Sequence, residues 1–122
     1  MPYDSSNIFA RILRGEISCK KIAEDSFFLA FHDISPRAPV HALVIPKGAF
    51  IDANDFHKNA SSDEIVGFYK GVAHVVDILG VYNEGFRQIS NCGVNGGQEV
   101  PHYHIHIMAG RKLGPMLSTV SE

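Results

Sequence analysis

Three histidines alternate with apolar or aromatic residues in the segment HYHIHIMAGR, residues 102–111. If residues 102–108 form a β-strand, successive side chains point to opposite faces. His102, His104 and His106 then share one face, and the residues between them face the hydrophobic core. Imidazole can act as a metal ligand, an acid or base, or a nucleophile, so this face is the first candidate for chemistry.

Three interpretations of this histidine face are open. Polar residues on the exposed face of a half-buried strand are common and need no function. A zinc site would need all three rings around one ion, yet the first and third Cα atoms of such a strand lie about 13 Å apart. Two neighbouring histidines with an outside ligand such as His41 could bind a metal ion. The third interpretation is a nucleophilic histidine flanked by two imidazoles.

The loop before the histidines favours the nucleophile. The segment NCGVNGGQ, residues 91–98, contains three glycines, which allow sharp turns and let backbone N–H groups point at an anion. Asn91 and Gln98 add side-chain donors. Because imidazole can attack phosphorus and N–H groups can bind phosphate oxygens, the two adjoining segments together indicate phosphate chemistry.

The composition limits the classes of protein. The chain has 122 residues, 45% of them hydrophobic, and a formal net charge of −2, which fit one domain over residues 1–122. No basic run is longer than the pair Lys20-Lys21, so a nucleic-acid partner is not expected. The chain has no apolar run of roughly 18 residues and no signal-peptide pattern, and Cys19 and Cys92 lack metal or disulfide spacing. We expect a cytoplasmic protein with reduced cysteines and no membrane partner.

Hydrophobic periodicity predicts an α+β domain with a mainly antiparallel sheet. The long helix should begin with a capping box formed by Ser61 and Glu64 and end before Gly80. The expected helices cover residues 7–14 and 61–79, and the expected strands cover residues 21–25, 26–33, 40–47, 86–90 and 102–108.

Two glycines lie inside the long helix. Gly67 and Gly71 each cost about 1 kcal/mol of helix propensity relative to alanine, which suggests close approach by another backbone. The approaching element is either the protein's own sheet or a second subunit.

Four segments of the chain resemble the histidine triad family. The segment GGQEVPHYHIHIMAG, residues 96–110, matches the family pattern of three histidines alternating with apolar residues. The segments NIFARILRGEI, FHDISPRAPVHALVIPK and AGRKLGPML resemble the Hint branch of this family, particularly its bacterial members. The resemblance covers nearly the whole chain.

The resemblance implies a two-layer α+β fold with a five-stranded antiparallel sheet, one long helix and one short helix. It also implies a homodimer paired across the long helices, a site for a purine nucleoside monophosphate, and hydrolysis of purine nucleoside phosphoramidates. His104 would be the nucleophile that becomes nucleotidylated, and neither a metal ion nor another cofactor would be required.

The same resemblance assigns roles around the nucleophile. His102 and His106 would orient His104 and contact phosphate, and His41 would support the triad from the adjacent strand. The remaining positions are Ile8, Phe9, Ile12, Phe31 and Ile34 in an apolar base slot, Asp33 at the ribose, Asn91, Gly97 and Gln98 in the phosphate loop, and Glu99 and Val100 elsewhere in the nucleotide site.

Taken alone, some of these residues have simpler interpretations. Ile8, Ile12 and Phe31 fit core packing, Asp33 fits a turn, and His41 fits a buried structural histidine. The histidines that match no position of the pattern are His32, His57 and His74, which we expect on the surface or in packing.

The chain departs from the family pattern at three places. Glu99 stands where many animal members carry Ser or Thr, and an ionised carboxylate cannot donate a hydrogen bond to phosphate. Pro101 removes one strand N–H, which is tolerable at the first residue of a strand or at an edge. The chain has no tryptophan, so the C-terminal segment MLSTVSE lacks the tryptophan that shapes the pocket of animal members.

The sequence leaves alternative functions open. A dinucleoside polyphosphate hydrolase would use the same nucleophile on a phosphoanhydride. A non-enzymatic nucleotide-binding or interaction module would use the pocket without the nucleophile, and a zinc protein would use the histidines as ligands.

Overall fold

The computed structural model describes residues 2–118; Met1 and residues 119–122, the end of the segment MLSTVSE, lie outside the described residues. The strands are β1 (Lys21–Glu24), β2 (Phe28–His32), β3 (Val40–Pro46), β4 (Phe86–Ile89) and β5 (Ile105–Ala109), and the helices are α1 (Ile8–Leu13), α2 (Ala53–Asn59) and α3 (Ser62–Leu79). The strands form an antiparallel sheet with the order β1-β2-β3-β5-β4. The predicted α+β fold with a five-stranded antiparallel sheet is confirmed.

The two faces of the sheet carry different helices. On one face, apolar residues of β2, β3 and β5 pack against Phe56 of α2 and Phe68 of α3, both fully buried. On the other face, Phe9 of α1 packs against Phe31 and Leu43. Because side chains alternate along each strand, the same strands supply both the main core and the floor of the second face.

The long helix α3 forms where its sequence signals lie. The Ser61 side chain accepts from the backbone of Glu64, and the Glu64 side chain accepts from the backbone of Ser61, so the predicted capping box is present. Gly80 ends the helix with φ of 66°, a left-handed conformation that glycine adopts without steric cost. Local sequence alone was sufficient for this element.

The glycines of α3 have a different neighbour from the one predicted. A Cβ on Gly67 would overlap the ring of Phe27, and a Cβ on Gly71 would overlap the ring of Phe28. The approaching groups are therefore aromatic side chains at the start of β2, and the prediction of a backbone contact is wrong. The rings of Phe27 and Phe28 both lie under α3 and occupy the space left by the missing side chains of Gly67 and Gly71.

The prediction of one long and one short helix is corrected by α2. Asp52 caps this seven-residue helix by accepting from the backbone N–H of Asp55, and Phe56 anchors it in the core with no exposed surface. One buried residue leaves no apolar stripe, so the helix has no periodic signal.

The histidine strand is shorter than predicted. Strand β5 begins at Ile105, because the backbone N–H of Tyr103 donates to Phe50 and that of His102 donates to Val100, both outside the sheet. His102 and His104 thus precede the strand. This departure from the ladder turns the first two histidines inward, where both rings are buried.

Strand β3 brings a fourth histidine to the same face. In the ladder between β3 and β5, Leu43 pairs with His106 and His41 pairs with Met108. Since His41 and Leu43 are two residues apart, His41 and His106 are diagonal neighbours on the face covered by α1.

Candidate active site

His104 is held by one ring nitrogen. Its Nδ1 lies 2.7 Å from the carbonyl oxygen of His102. A carbonyl oxygen only accepts, so Nδ1 carries the proton, and the neutral ring keeps its lone pair on Nε2. The ring is buried, and it meets the ring of Phe9 edge-to-face with centroids 4.9 Å apart. His104 therefore has the tautomer that a nucleophilic imidazole requires.

The ring of His102 is enclosed by the protein. Its Nε2 donates to the carbonyl oxygen of Pro46 over 3.0 Å, and its Nδ1 accepts from the hydroxyl of Tyr3 over 2.6 Å. The residue has no exposed surface. Both ring nitrogens are thus occupied, which corrects the expectation that the His102 ring contacts phosphate; its contact with the nucleophile is made by its backbone carbonyl.

His41 and His106 form a second hydrogen-bonded pair. The backbone N–H of Arg37 donates to Nδ1 of His41 over 3.1 Å, so the proton of neutral His41 lies on Nε2. Nε2 of His41 is 2.9 Å from Nδ1 of His106 and donates to it. The proton of neutral His106 is consequently on Nε2. His41 therefore contacts the triad from β3 through its hydrogen bond to His106.

The four histidines of the site, His41, His102, His104 and His106, all favour the neutral form. Burial lowers the pKa of His102 to about 4, and burial, followed by the repulsion that a protonated His104 would exert, lowers the pKa of His106 to about 4. Burial also lowers the pKa of His104 and of His41. For His104 this effect is opposed by the hydrogen bond to the His102 carbonyl and by the charges of Asp33 and Glu99. Neutral imidazoles are what nucleophilic attack near pH 7 needs.

A cavity of about 330 Å³ opens in front of His104 and His106. The cavity brings together most of the residues that the sequence analysis assigned to a nucleotide. These are Ile8, Phe9, Ile12, Phe31, Asp33, Ile34, Asn91, Gly97, Glu99 and Val100. Its volume and mixed apolar and polar walls are those of a small-molecule site.

Asp33 has two partners and also lines the cavity. One carboxylate oxygen accepts from the backbone N–H of Ser35 over 2.8 Å, which is the turn interpretation of this residue. The other oxygen lies 3.4 Å from Nε2 of His41. A carboxylate has about four acceptor positions, so Asp33 can still accept from a ligand hydroxyl.

Gln98 lies outside the cavity and holds the glycine loop. Its amide nitrogen donates to the carbonyl oxygens of Ile51 and Val100, and its amide oxygen accepts from the backbone of Gly93. The expectation that Gln98 donates to phosphate is corrected, because both amide hydrogens are bonded. Its role is to fix the loop that carries Gly97 into the cavity wall.

Two opposite charges stand at the cavity mouth. The guanidinium of Arg37 is 3.9 Å from the carboxylate of Glu99, and both side chains are mostly exposed. Such a pair in water contributes little to stability. Its place on the cavity wall makes it available to a bound ligand.

One group of side chains has metal-like spacing. Asp33, His41 and His106 each offer a ligand atom, and these atoms lie within 4.8 Å of one another. A metal-bound histidine normally donates its other ring N–H to an acceptor. The other nitrogen of His41 instead faces the N–H of Arg37, which puts the His41 proton on the atom that would bind the ion. The positions of these side chains therefore fit a hydrogen bond between His41 and His106 better than they fit a metal site.

The sequence analysis missed part of the cavity wall. The additional lining residues are Ile17, Ser18, Cys19, His32, Ser35, Arg37 and Leu43. Most belong to the connection after α1 and to the turn after β2, where no periodicity marks which side chains face a ligand. His32, expected on the surface or in packing, is exposed and contributes to this wall. Its position at the end of β2, next to Asp33, was the feature of the sequence that could have indicated a place in the cavity wall.

Comparison with known proteins agrees with this geometry. The HIT domain family model matches residues 14–113, so the chain belongs to the HIT domain family. An uncharacterised 13.2 kDa HIT-like protein of Azospirillum brasilense is 55% identical over 116 residues, covering 95% of each chain. The purine nucleoside phosphoramidase of Escherichia coli K12 is 40% identical over 112 residues, covering 91% of this chain and 92% of the relative.

Solved structures support the same family. A histidine triad protein from Clostridium difficile matches with a TM-score of 0.84 and 38% identity, covering 96% of this chain and all of the other. A HIT family hydrolase from Clostridium thermocellum matches with a TM-score of 0.84 and 32% identity, covering 94% and 99%. These relatives support a hydrolase class for the chain. Among the residues that the structure describes, no helix has the length and apolar character needed to cross a membrane.

Proposed function

We propose that the chain hydrolyses purine nucleoside 5′-phosphoramidates to the nucleoside monophosphate and an amine. The observation that carries this proposal is the hydrogen bond from Nδ1 of His104 to the His102 carbonyl, which leaves the Nε2 lone pair for attack. The name of the E. coli relative, a purine nucleoside phosphoramidase, supports the choice of substrate.

In the first step, Nε2 of His104 attacks the phosphorus atom. The P–N bond to the leaving group breaks, its electron pair stays on nitrogen, and the amine takes up a proton. That proton comes from the solvent, and His106, which lines the cavity with its proton on Nε2, donates a hydrogen bond to a phosphoryl oxygen. His41 donates to Nδ1 of His106 and thereby keeps the His106 proton on Nε2.

In the second step, water attacks the nucleotidyl-histidine. The P–Nε2 bond breaks, the attacking water releases one proton to the solvent, His104 recovers its lone pair, and the nucleoside monophosphate leaves. Backbone N–H groups of the glycine loop stabilise the charge on the phosphoryl oxygens, and one such preorganised donor contributes about 3 kcal/mol. Burial of the rings keeps them neutral for both steps.

The cavity suits the nucleoside part of this substrate. Its apolar wall includes Phe9 and Phe31, which can pack against a base, and Asp33 can accept from the ribose hydroxyls. This arrangement is supported by proximity, because the apolar wall, the Asp33 carboxylate and the ring of His104 all line the same cavity.

The proposal includes a cytoplasmic homodimer. Two features support pairing of two copies. Strand β4 is an edge of the sheet, and the exposed apolar side chains Val66 and Ile78 lie on α3. Light scattering at micromolar concentration should give twice the mass of one chain, and a monomer would contradict this part.

The experiment is AMP release from adenosine 5′-phosphoramidate in the presence of a strong chelator. The parent protein should turn over, and His104→Ala should lose at least about 1,000-fold in kcat because the covalent route is closed. The matched control is His74→Ala, which removes an exposed histidine of α3 and should leave kcat unchanged.

The outcomes separate the competing functions. Binding of AMP without turnover of phosphoramidates would support a nucleotide-binding module instead. Faster turnover of dinucleoside polyphosphates than of phosphoramidates would move the assignment to that substrate. Activity that is lost on chelation and restored by zinc would contradict the metal-free mechanism.

A further inference from the structure

We propose that Tyr3 is a positioning residue for the reaction, because its hydroxyl holds His102 in the orientation that presents the His102 carbonyl to the nucleophile. This inference rests on the proposed function, since it concerns how His104 is prepared for attack. The Tyr3 hydroxyl is 2.6 Å from Nδ1 of His102, and the two rings meet edge-to-face with centroids 5.7 Å apart.

The direction of this hydrogen bond follows from the other side of the His102 ring. Nε2 faces the carbonyl oxygen of Pro46, which can only accept, so the proton of neutral His102 is on Nε2. Nδ1 therefore holds a lone pair, and Tyr3 is the donor. With both nitrogens bonded to groups from distant parts of the chain, the ring has one favourable orientation.

His102 passes this restraint to the nucleophile through its backbone. The same residue whose ring is held by Tyr3 and Pro46 offers the carbonyl that accepts from Nδ1 of His104. The contacts thus run from the Tyr3 hydroxyl through His102 to the ring that attacks phosphorus. Tyr3 is not part of the cavity wall, so it acts through His102 and not on the ligand.

The segment that carries Tyr3 is held independently of this hydrogen bond. The side chain of Asn7 donates to the backbone of Asp4, and Arg14 donates to the backbone of Ser5 over 2.8 Å. Removing only the Tyr3 hydroxyl should therefore leave the segment in place. The effect should be a freed Nδ1 on His102 and a looser His102 carbonyl.

The test compares Tyr3→Phe with the matched control Tyr82→Phe in the full chain. Tyr82 is 75% exposed, so loss of its hydroxyl should change nothing. For Tyr3→Phe we expect kcat to fall about 10-fold with little change in KM, as for a small misplacement of a reacting group.

A spectroscopic readout separates positioning from simple stabilisation. In ¹H–¹⁵N spectra of the histidine side chains, Tyr3→Phe should move the Nδ1 resonance of His102 and speed exchange of the Nδ1 proton of His104. Tyr82→Phe should change neither signal. Replacement of Tyr3 by a fluorinated tyrosine, a stronger donor of the same shape, should shift His102 Nδ1 in the opposite direction.

Two results would overturn the proposal. One is an unchanged kcat in Tyr3→Phe; the other is a lower kcat with unchanged His102 and His104 resonances, which would mean a purely structural role. If the parent protein releases no AMP, the proposed function fails on its own, and the resonances still decide whether Tyr3 orients the two histidines. If Tyr3→Phe does not fold, the fluorinated protein decides by the same signals.

Discussion

The backbone N–H of Arg37 donates to Nδ1 of His41 over 3.1 Å. This contact determines the proton positions of two histidines, because it forces the His41 proton onto Nε2 and makes His41 the donor to His106. It also opposes metal binding by Asp33, His41 and His106, whose ligand atoms lie within 4.8 Å of one another. The peptide N–H does not titrate, so the arrangement should persist at every pH at which His41 is neutral.

The first prediction is that Asp33, His41 and His106 do not retain a metal ion. Protein purified without added zinc should contain far less than one metal ion per chain, measured by elemental analysis. Turnover should be the same with and without a chelator. A stoichiometric zinc content that His41→Ala abolishes would contradict the tautomer derived from the Arg37 contact.

The second prediction concerns pH. His104 attacks only when neutral, and burial lowers its pKa below the ordinary 6.5. The value of kcat/KM should therefore stay nearly constant as the pH falls to about 6.5 and decline only below that pH. A decline that begins above pH 7 would contradict the buried, neutral nucleophile.

Stability provides the control for this pH profile. The pKa values of His102 and His106 are lowered to about 4 in the folded protein, from an ordinary 6.5. The unfolded chain thus binds more protons between these values, and the free energy of unfolding should fall as the pH is lowered through that window. Thermal melts at each pH distinguish loss of fold from protonation of His104.

The third prediction concerns the glycines of α3. Alanine is a better helix former than glycine, yet a methyl group at Gly71 would meet the ring of Phe28, which is 2% exposed and cannot move aside. Gly71→Ala should lower the free energy of unfolding by about 1–3 kcal/mol. The control is His74→Ala at an exposed position of the same helix, which should leave the free energy of unfolding nearly unchanged. Equal effects in urea denaturation would contradict this account.

The fourth prediction concerns the glycine loop. Gln98→Ala removes two donated hydrogen bonds and one accepted bond that hold this loop. A loosened loop should raise KM for the nucleotide by about 10-fold, because ordering it then opposes binding. Asn95→Ala, an exposed amide in the same loop, should leave KM unchanged. A fall in kcat alone would instead favour direct contact of Gln98 with the reacting group.

Elements with strong local signals could be predicted from the sequence. The capping box, the apolar stripe and Gly80 located α3, and alternation located the strands that carry His41 and His106. Helix α2 was missed because its contribution to the core is the single residue Phe56. The start of β5 was misplaced because alternation continues through Tyr103, although its N–H leaves the sheet for Phe50.

The candidate site was also predictable from the sequence only in part. The family resemblance indicated His104 and its apolar surroundings, and the structure brings most of those residues to one cavity. Gln98 was assigned to phosphate because it follows the glycine loop, and His102 because an imidazole beside the nucleophile can bind phosphate oxygens. Their partners, Ile51 for Gln98 and Pro46 for His102, lie far away in sequence, so no local pattern could reveal that these groups were already bonded.

The sequence by itself determined the family resemblance, the α+β class and the identity of the central histidine, because alternation and helix caps act over a few residues. Only the tertiary structure decided where the protons lie. Backbone groups of Arg37, Pro46 and His102 set the tautomers of His41, His102 and His104, and the hydroxyl of Tyr3 completes the set. A tautomer depends on which donor or acceptor lies within about 3 Å of a ring nitrogen, and folding alone brings those groups together.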